Sequence, residues 1–131
     1  MSEIDPAAAR ARVVPAADLT PADPTPGMTR RVAFSTERIW TGTVDTEPGA
    51  VSGWHHHGDH DTTLYVVRGQ MQMQSGPGGA DIVEAGPGDF LHVPPHAIHR
   101  ESNPGEVVAT AVIVRHGDGP PTHNVEGPSP G

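Results

Sequence analysis

The sequence contains no cysteine, so disulfides and thiolate metal sites are excluded, and imidazole and carboxylate remain as the strong ligand types. Positive charge is also sparse. Eight Lys and Arg residues stand against 16 Asp and Glu, for a formal net charge of −8. That balance argues against nucleic acid or an anionic membrane as partner, since both demand a concentrated basic face. No apolar run approaches the length of a membrane span, and Met1 to Arg12 lack the basic-then-apolar profile of a secretory signal, so a cytoplasmic protein is expected. Apolar residues are themselves scarce, at 34% of 131, whereas glycine and proline fill 16 and 15 positions. Such a chain has room for one domain with one compact core, and its composition suits short strands joined by turns better than long helices.

Residues 1–27 are rich in Ala, Pro and Asp, and Pro15, Pro21, Pro24 and Pro26 deny regular hydrogen bonding over the second half of this stretch. It reads as an N-terminal arm. Residues 117–131 (GDGPPTHNVEGPSPG) read as a C-terminal tail of the same character. Both ends are expected either to hang free or to lie along the body or a neighbouring subunit.

In the body, 28–116, β-favouring runs alternate with turn signals. The runs are Arg31 to Ser35, Arg38 to Asp45, Thr62 to Arg68, Gln70 to Gln74, Asp81 to Glu84, Asp89 to Val93 and Val107 to Arg115. Breaks fall at Pro48-Gly49, Gly69, Gly76 to Gly79, Gly86-Pro87-Gly88 and Pro104-Gly105. Gln70-Met71-Gln72-Met73-Gln74 alternates with period two, as a strand with one wet and one dry face must, and Met71 and Met73 are expected in the core or a dimer seam. Many short strands at this spacing imply an all-β sandwich or closed barrel.

Seven of the nine histidines fall between His55 and His99. Metal coordination is the simplest physical reason for such crowding, because neutral imidazole binds Fe, Mn, Ni, Cu and Zn. Residues two apart on a strand share a face, so His55 and His57 can reach one ion while His56 points away. A third ligand must come from a strand folding back beside them, and His99, just after the turn at Pro94-Pro95, is well placed to supply it.

These residues resemble the cupins, small β-barrels marked by two spaced motifs. The first is Gly, five residues, His-x-His, three or four residues, Glu, six residues, Gly; here Gly49, His55, His57 and Gly69 occupy its positions. The second is Gly, five residues, Pro-x-Gly, two residues, His, three residues, Asn; here Gly88, Pro94, His99 and Asn103 fit. The resemblance spans Gly49 to Asn103. It implies an all-β single-domain cupin, a double-stranded β-helix or jelly-roll-like barrel with extended arms, commonly a homodimer, with one divalent metal inside held by His55, His57 and His99.

Two positions depart from the motifs. Thr62 stands where the family has its glutamate, and His96 replaces the turn glycine. A hydroxyl is a poor metal ligand beside a carboxylate, so the fourth position stays open between three alternatives. A three-histidine site is one. His60, which shares the strand parity of Thr62, is another, and Asp61 the last, if the strand bulges.

His92 shares a face with Phe90 and is expected either to line the cavity as a catalytic proton carrier or to be a satisfied core histidine. Tyr65, Phe90 and Trp54 are expected in core or pocket walls. Arg68 and Arg100 are read as solvated charges beside turns, and Glu101 and Glu106 as surface. The resulting expectation is a metal-dependent enzyme, of dioxygenase or isomerase/lyase type, acting on a small oxygen-rich molecule. The alternative is a non-catalytic barrel that binds a small ligand or a metal.

Overall fold

The computed structural model describes residues 5–130. Eleven strands follow one another: β1 (Thr20–Pro21), β2 (Met28–Ser35), β3 (Ile39–Thr46), β4 (His55–His56), β5 (Asp61–Arg68), β6 (Met71–Ser75), β7 (Asp81–Ala85), β8 (Phe90–Val93), β9 (Arg100–Ser102), β10 (Ala109–His116) and β11 (His123–Asn124). Short 3-10 turns at Ala16–Asp18 and Pro77–Gly79 are the only helical segments among the described residues. No helix there is long and apolar enough to cross a membrane.

The strands form a six-stranded sheet in the order β1-β2-β3-β10-β5-β8, a three-stranded sheet β7-β6-β9, and a two-stranded ribbon β11-β4. All pairings between these strands are antiparallel. The core lies between the larger sheets, and period-two alternation builds it. β5 turns Thr62, Leu64 and Val66 inward, β10 turns in Ala109, Ala111 and Ile113, and β6 contributes Met71 and Met73 from the opposite side. Once buried, these side chains supply most of the driving force for closing the sheets on one another.

Turn chemistry sets the register. Gly69, at φ +76°, reverses the chain between β5 and β6, and a Cβ there would lie 2.7 Å from the Ala109 backbone, so only glycine fits. Asn103 is 1% exposed; its Nδ2 donates to the carbonyls of Thr46 and Val107, and its Oδ1 accepts from the Gly105 amide. The second-motif asparagine is thus a staple for the loop into β10.

The same alternation places three residues on the opposite face from the one expected. β8 buries Leu91 and Val93, which sends Phe90 and His92 outward. Phe90 is 69% exposed and packs on the half-exposed Tyr65 across the outer face, so neither aromatic walls the interior. In β9 the inward residue is Glu101, at 7% exposure, in place of the surface position expected for it.

Candidate metal centre

Residues 49–55 run beside 99–103, with the amides of Gly49, Ser52 and His55 donating to the carbonyls of Asn103, Glu101 and His99. His55 and His99 exchange both backbone hydrogen bonds at 2.9 Å, which makes them a directly opposed pair with both rings on one face. Their ring centroids lie 4.3 Å apart, and the His57 ring lies 5.0 Å from each. One ring nitrogen from each of the three sits within 4.8 Å of the others, and all three residues are buried.

The second nitrogen of each ring is fixed by the backbone. Nδ1 of His55 meets the Gly53 carbonyl at 2.8 Å, Nδ1 of His57 the Pro121 carbonyl at 2.8 Å, and Nδ1 of His99 the Ala97 carbonyl at 2.9 Å. A carbonyl oxygen only accepts, so each Nδ1 carries the proton and each Nε2 keeps a free lone pair. Burial pushes the His57 pKa down to about 2, assisted by the positive charge of Arg115; burial and then the facing His55 lower that of His99. Three neutral imidazoles with oriented lone pairs form a donor set that fits a divalent ion.

These rings open into a cavity of about 400 Å³. Thr62 lines it too, and its Oγ1 is buried with no hydrogen-bond partner, so the position where the cupin motif has glutamate carries a neutral, unengaged hydroxyl. Neither other candidate fourth ligand joins the cluster. His60 is buried, but its Nδ1 donates to the His57 carbonyl at 2.9 Å and its ring packs under Gly117, outside the cavity lining. Asp61 faces outward, where its carboxylate meets His92 Nε2 at 2.5 Å. His92, with its side chain 63% exposed, does not line this cavity; it borders a separate small pocket on the other side of His99, so the structure gives no support for a proton carrier in the cavity. His96, at φ 64°, is likewise on the surface and bonded to Asp59 at 2.7 Å.

Four charged residues not expected in the site line the cavity with the imidazoles: Asp23 and Arg30 from the N-terminal half, Glu101, paired with Arg30 at 3.3 Å, and Arg115. For Glu101 and Arg115 parity was the signal. Glu101 is two residues past His99, and Arg115 two past the inward Ile113. The arms contribute as well. Ala22 to Thr25 and Pro121-Thr122 border the cavity, β1 being hydrogen-bonded to β2 and β11 to β4.

The profile of the cupin domain matches residues 42–115, more than half of the chain. The chain belongs to the cupin family. Its fold is shared with KdgF from Halomonas sp., at TM-score 0.65 and 21% identity, covering 81% of this chain and 95% of that one. It is shared also with an uncharacterized conserved protein with a double-stranded β-helix domain from Klebsiella pneumoniae, at TM-score 0.71 and 19% identity, covering 89% and 99%. At these identities the likeness is one of fold. Over 45 residues this cupin is 44% identical to quercetin 2,3-dioxygenase of Bacillus subtilis (strain 168), a stretch that is 34% of this chain and 12% of that enzyme.

Proposed function

We propose that this cupin holds one divalent metal through His55, His57 and His99 and acts as a metal-dependent enzyme on a small oxygen-rich molecule. The observation that carries the reading is the fixing of all three Nδ1 protons by backbone carbonyls, which leaves three Nε2 lone pairs converging at the cavity wall. A structural histidine cluster has no need of that arrangement, because its rings could satisfy one another. When bound, the ion would keep most of its charge against three neutral ligands, which suits it to polarise a carbonyl or bind dioxygen.

The chain's own residues would do the rest. Glu101 offers a carboxylate inside the cavity for proton transfer, held in place by Arg30 and by the backbone bond between its amide and Ser52 Oγ. Thr62 Oγ1 can donate to a ligand oxygen in the space beside the imidazoles. Leu64 and Ile113 add apolar surface to the wall. The match to a quercetin dioxygenase supports dioxygenase chemistry, with isomerase or lyase chemistry as the second type. The neutral Thr62 in place of a carboxylate favours a second reading, a barrel that binds its ligand without turnover.

The test is a panel of diketones, catechols, hydroxy acids and sugars, offered to untagged protein loaded with Fe, Mn, Ni, Cu or Zn and to chelator-stripped protein. Turnover that requires metal and falls by about 10²-fold or more in Glu101→Gln supports the enzyme. Stoichiometric metal with no turnover across the panel favours the binding barrel.

A further inference from the structure

Arg115 sits on the inner face of β10, lines the same cavity, and bears electrostatically on both His57 and His99. Its Nε is buried without a hydrogen-bond partner, and among the described residues no ion pair reaches its guanidinium. The residue directly opposite on β5 is Thr62, which is neutral. The inward carboxylate Glu101 acts on Arg115 through its charge but makes its ion pair with Arg30, and Asp23 on the cavity lining is exposed to water. The guanidinium lies over the Trp40 ring, with Cζ 5.3 Å from its centroid, which holds the plane of the group without neutralising it. Burial also costs the cation, lowering the Arg115 pKa. A desolvated guanidinium with an unmet donor is expensive for a fold to keep, and a planar fork of donors matches a carboxylate.

We propose that Arg115 is the seat for the carboxylate of a small oxygen-rich acid, a 2-oxo or 2-hydroxy acid, whose adjacent oxygen faces the three imidazoles. The oxygen end of this assignment rests on the metal reading above. The carboxylate end rests on Arg115 alone, so the two can fail separately.

The probes are pyruvate and hydroxyacetone, which differ in carrying a carboxylate or a neutral hydroxymethyl group on the same ketone. Binding is measured by titration calorimetry to zinc-loaded and to metal-free untagged protein. In wild type pyruvate binds more tightly than hydroxyacetone. Arg115→Met lowers pyruvate affinity by about tenfold or more while hydroxyacetone changes by about twofold or less, and Arg115→Lys falls between, as expected for loss of a charge-assisted bond. In metal-free protein pyruvate binds more weakly but with the same dependence on residue 115. Should Arg115→Met fail to fold by circular dichroism, the Lys variant carries the comparison. If zinc does not bind at all, Arg115-dependent pyruvate binding by the metal-free protein still supports this proposal while the metal reading falls. Pyruvate affinity independent of residue 115 in both forms overturns it.

Discussion

At the scale of single residues, the site combines side chains that cost the fold stability with others that are nearly indifferent. Arg115 belongs to the first kind. Replacing it with Met removes an unpartnered buried donor and keeps an unbranched stem against Trp40, so metal-free Arg115→Met should melt a few degrees above wild type. A drop in melting temperature would mean that stacking on Trp40 outweighs the unmet hydrogen bond. His57→Ala should abolish metal binding. Thr62→Ala should leave it within about threefold, because a hydroxyl adds little beside imidazole ligands; a large loss in Thr62→Ala, measured by competition with a chelator, would show that Thr62 takes part in coordination.

The clustering of His55, His57 and His99 was legible in the sequence because two motif spacings agreed on all three positions. The two-residue period alone does not say which face of β8 is inside, and His92 lies on the outer one. Its parity with Phe90 was correct, but both point outward, and an aromatic neighbour was a poor guide to which face is inside. Glu101 escaped because its segment reads as a loop: β9 has only three residues, and they are charged or polar.

At the scale of elements, the arms matter more than their composition suggests. A segment rich in Pro and Gly cannot announce where it docks, since its contacts are made by backbone groups that every sequence carries. Yet the tail supplies the carbonyl of Pro121 that fixes the His57 tautomer, and β11 pairs His123 with His56 and Asn124 with His55. Truncation after Gly117 should therefore weaken metal affinity by about 10- to 100-fold, the usual loss when a supporting hydrogen bond to a ligand is removed. Pro121→Ala keeps the carbonyl and should change affinity by about twofold or less. Equal affinity in the truncated protein, followed by metal competition, would show that the tail only covers the cavity.

At the scale of the whole molecule, the seven longer strands were legible to within a few residues at their ends, because alternation and turn residues agree over each of them. The four short ones, β1, β4, β9 and β11, were not, because two or three residues give no period. Burial of neutral histidines also gives the metal-free barrel a definite pH response. In the unfolded chain His57 protonates near 6.5, whereas in the fold its pKa is held down to about 2, and that of His99 is lowered as well. Below about pH 6.5 the unfolded state therefore binds protons that the folded state does not, and stability falls as pH drops through that window toward the lowered values. Above it, these groups contribute no pH dependence. Urea unfolding at about pH 7 and about pH 5 should show the loss, at most about 1.4 kcal/mol per pH unit for each histidine. Saturating metal should add stability at neutral pH, by about 4 kcal/mol at a thousandfold excess over Kd.

Whether His55, His57 and His99 together hold one ion is decided by elemental analysis of untagged protein, wild type and His57→Ala, loaded with excess metal and then dialysed, with a melting curve on each sample. Wild type should retain close to one ion per chain and melt at a raised temperature, and His57→Ala should do neither. Wild-type protein that retains no metal and melts at the same temperature with and without it would show that the three histidines hold no ion.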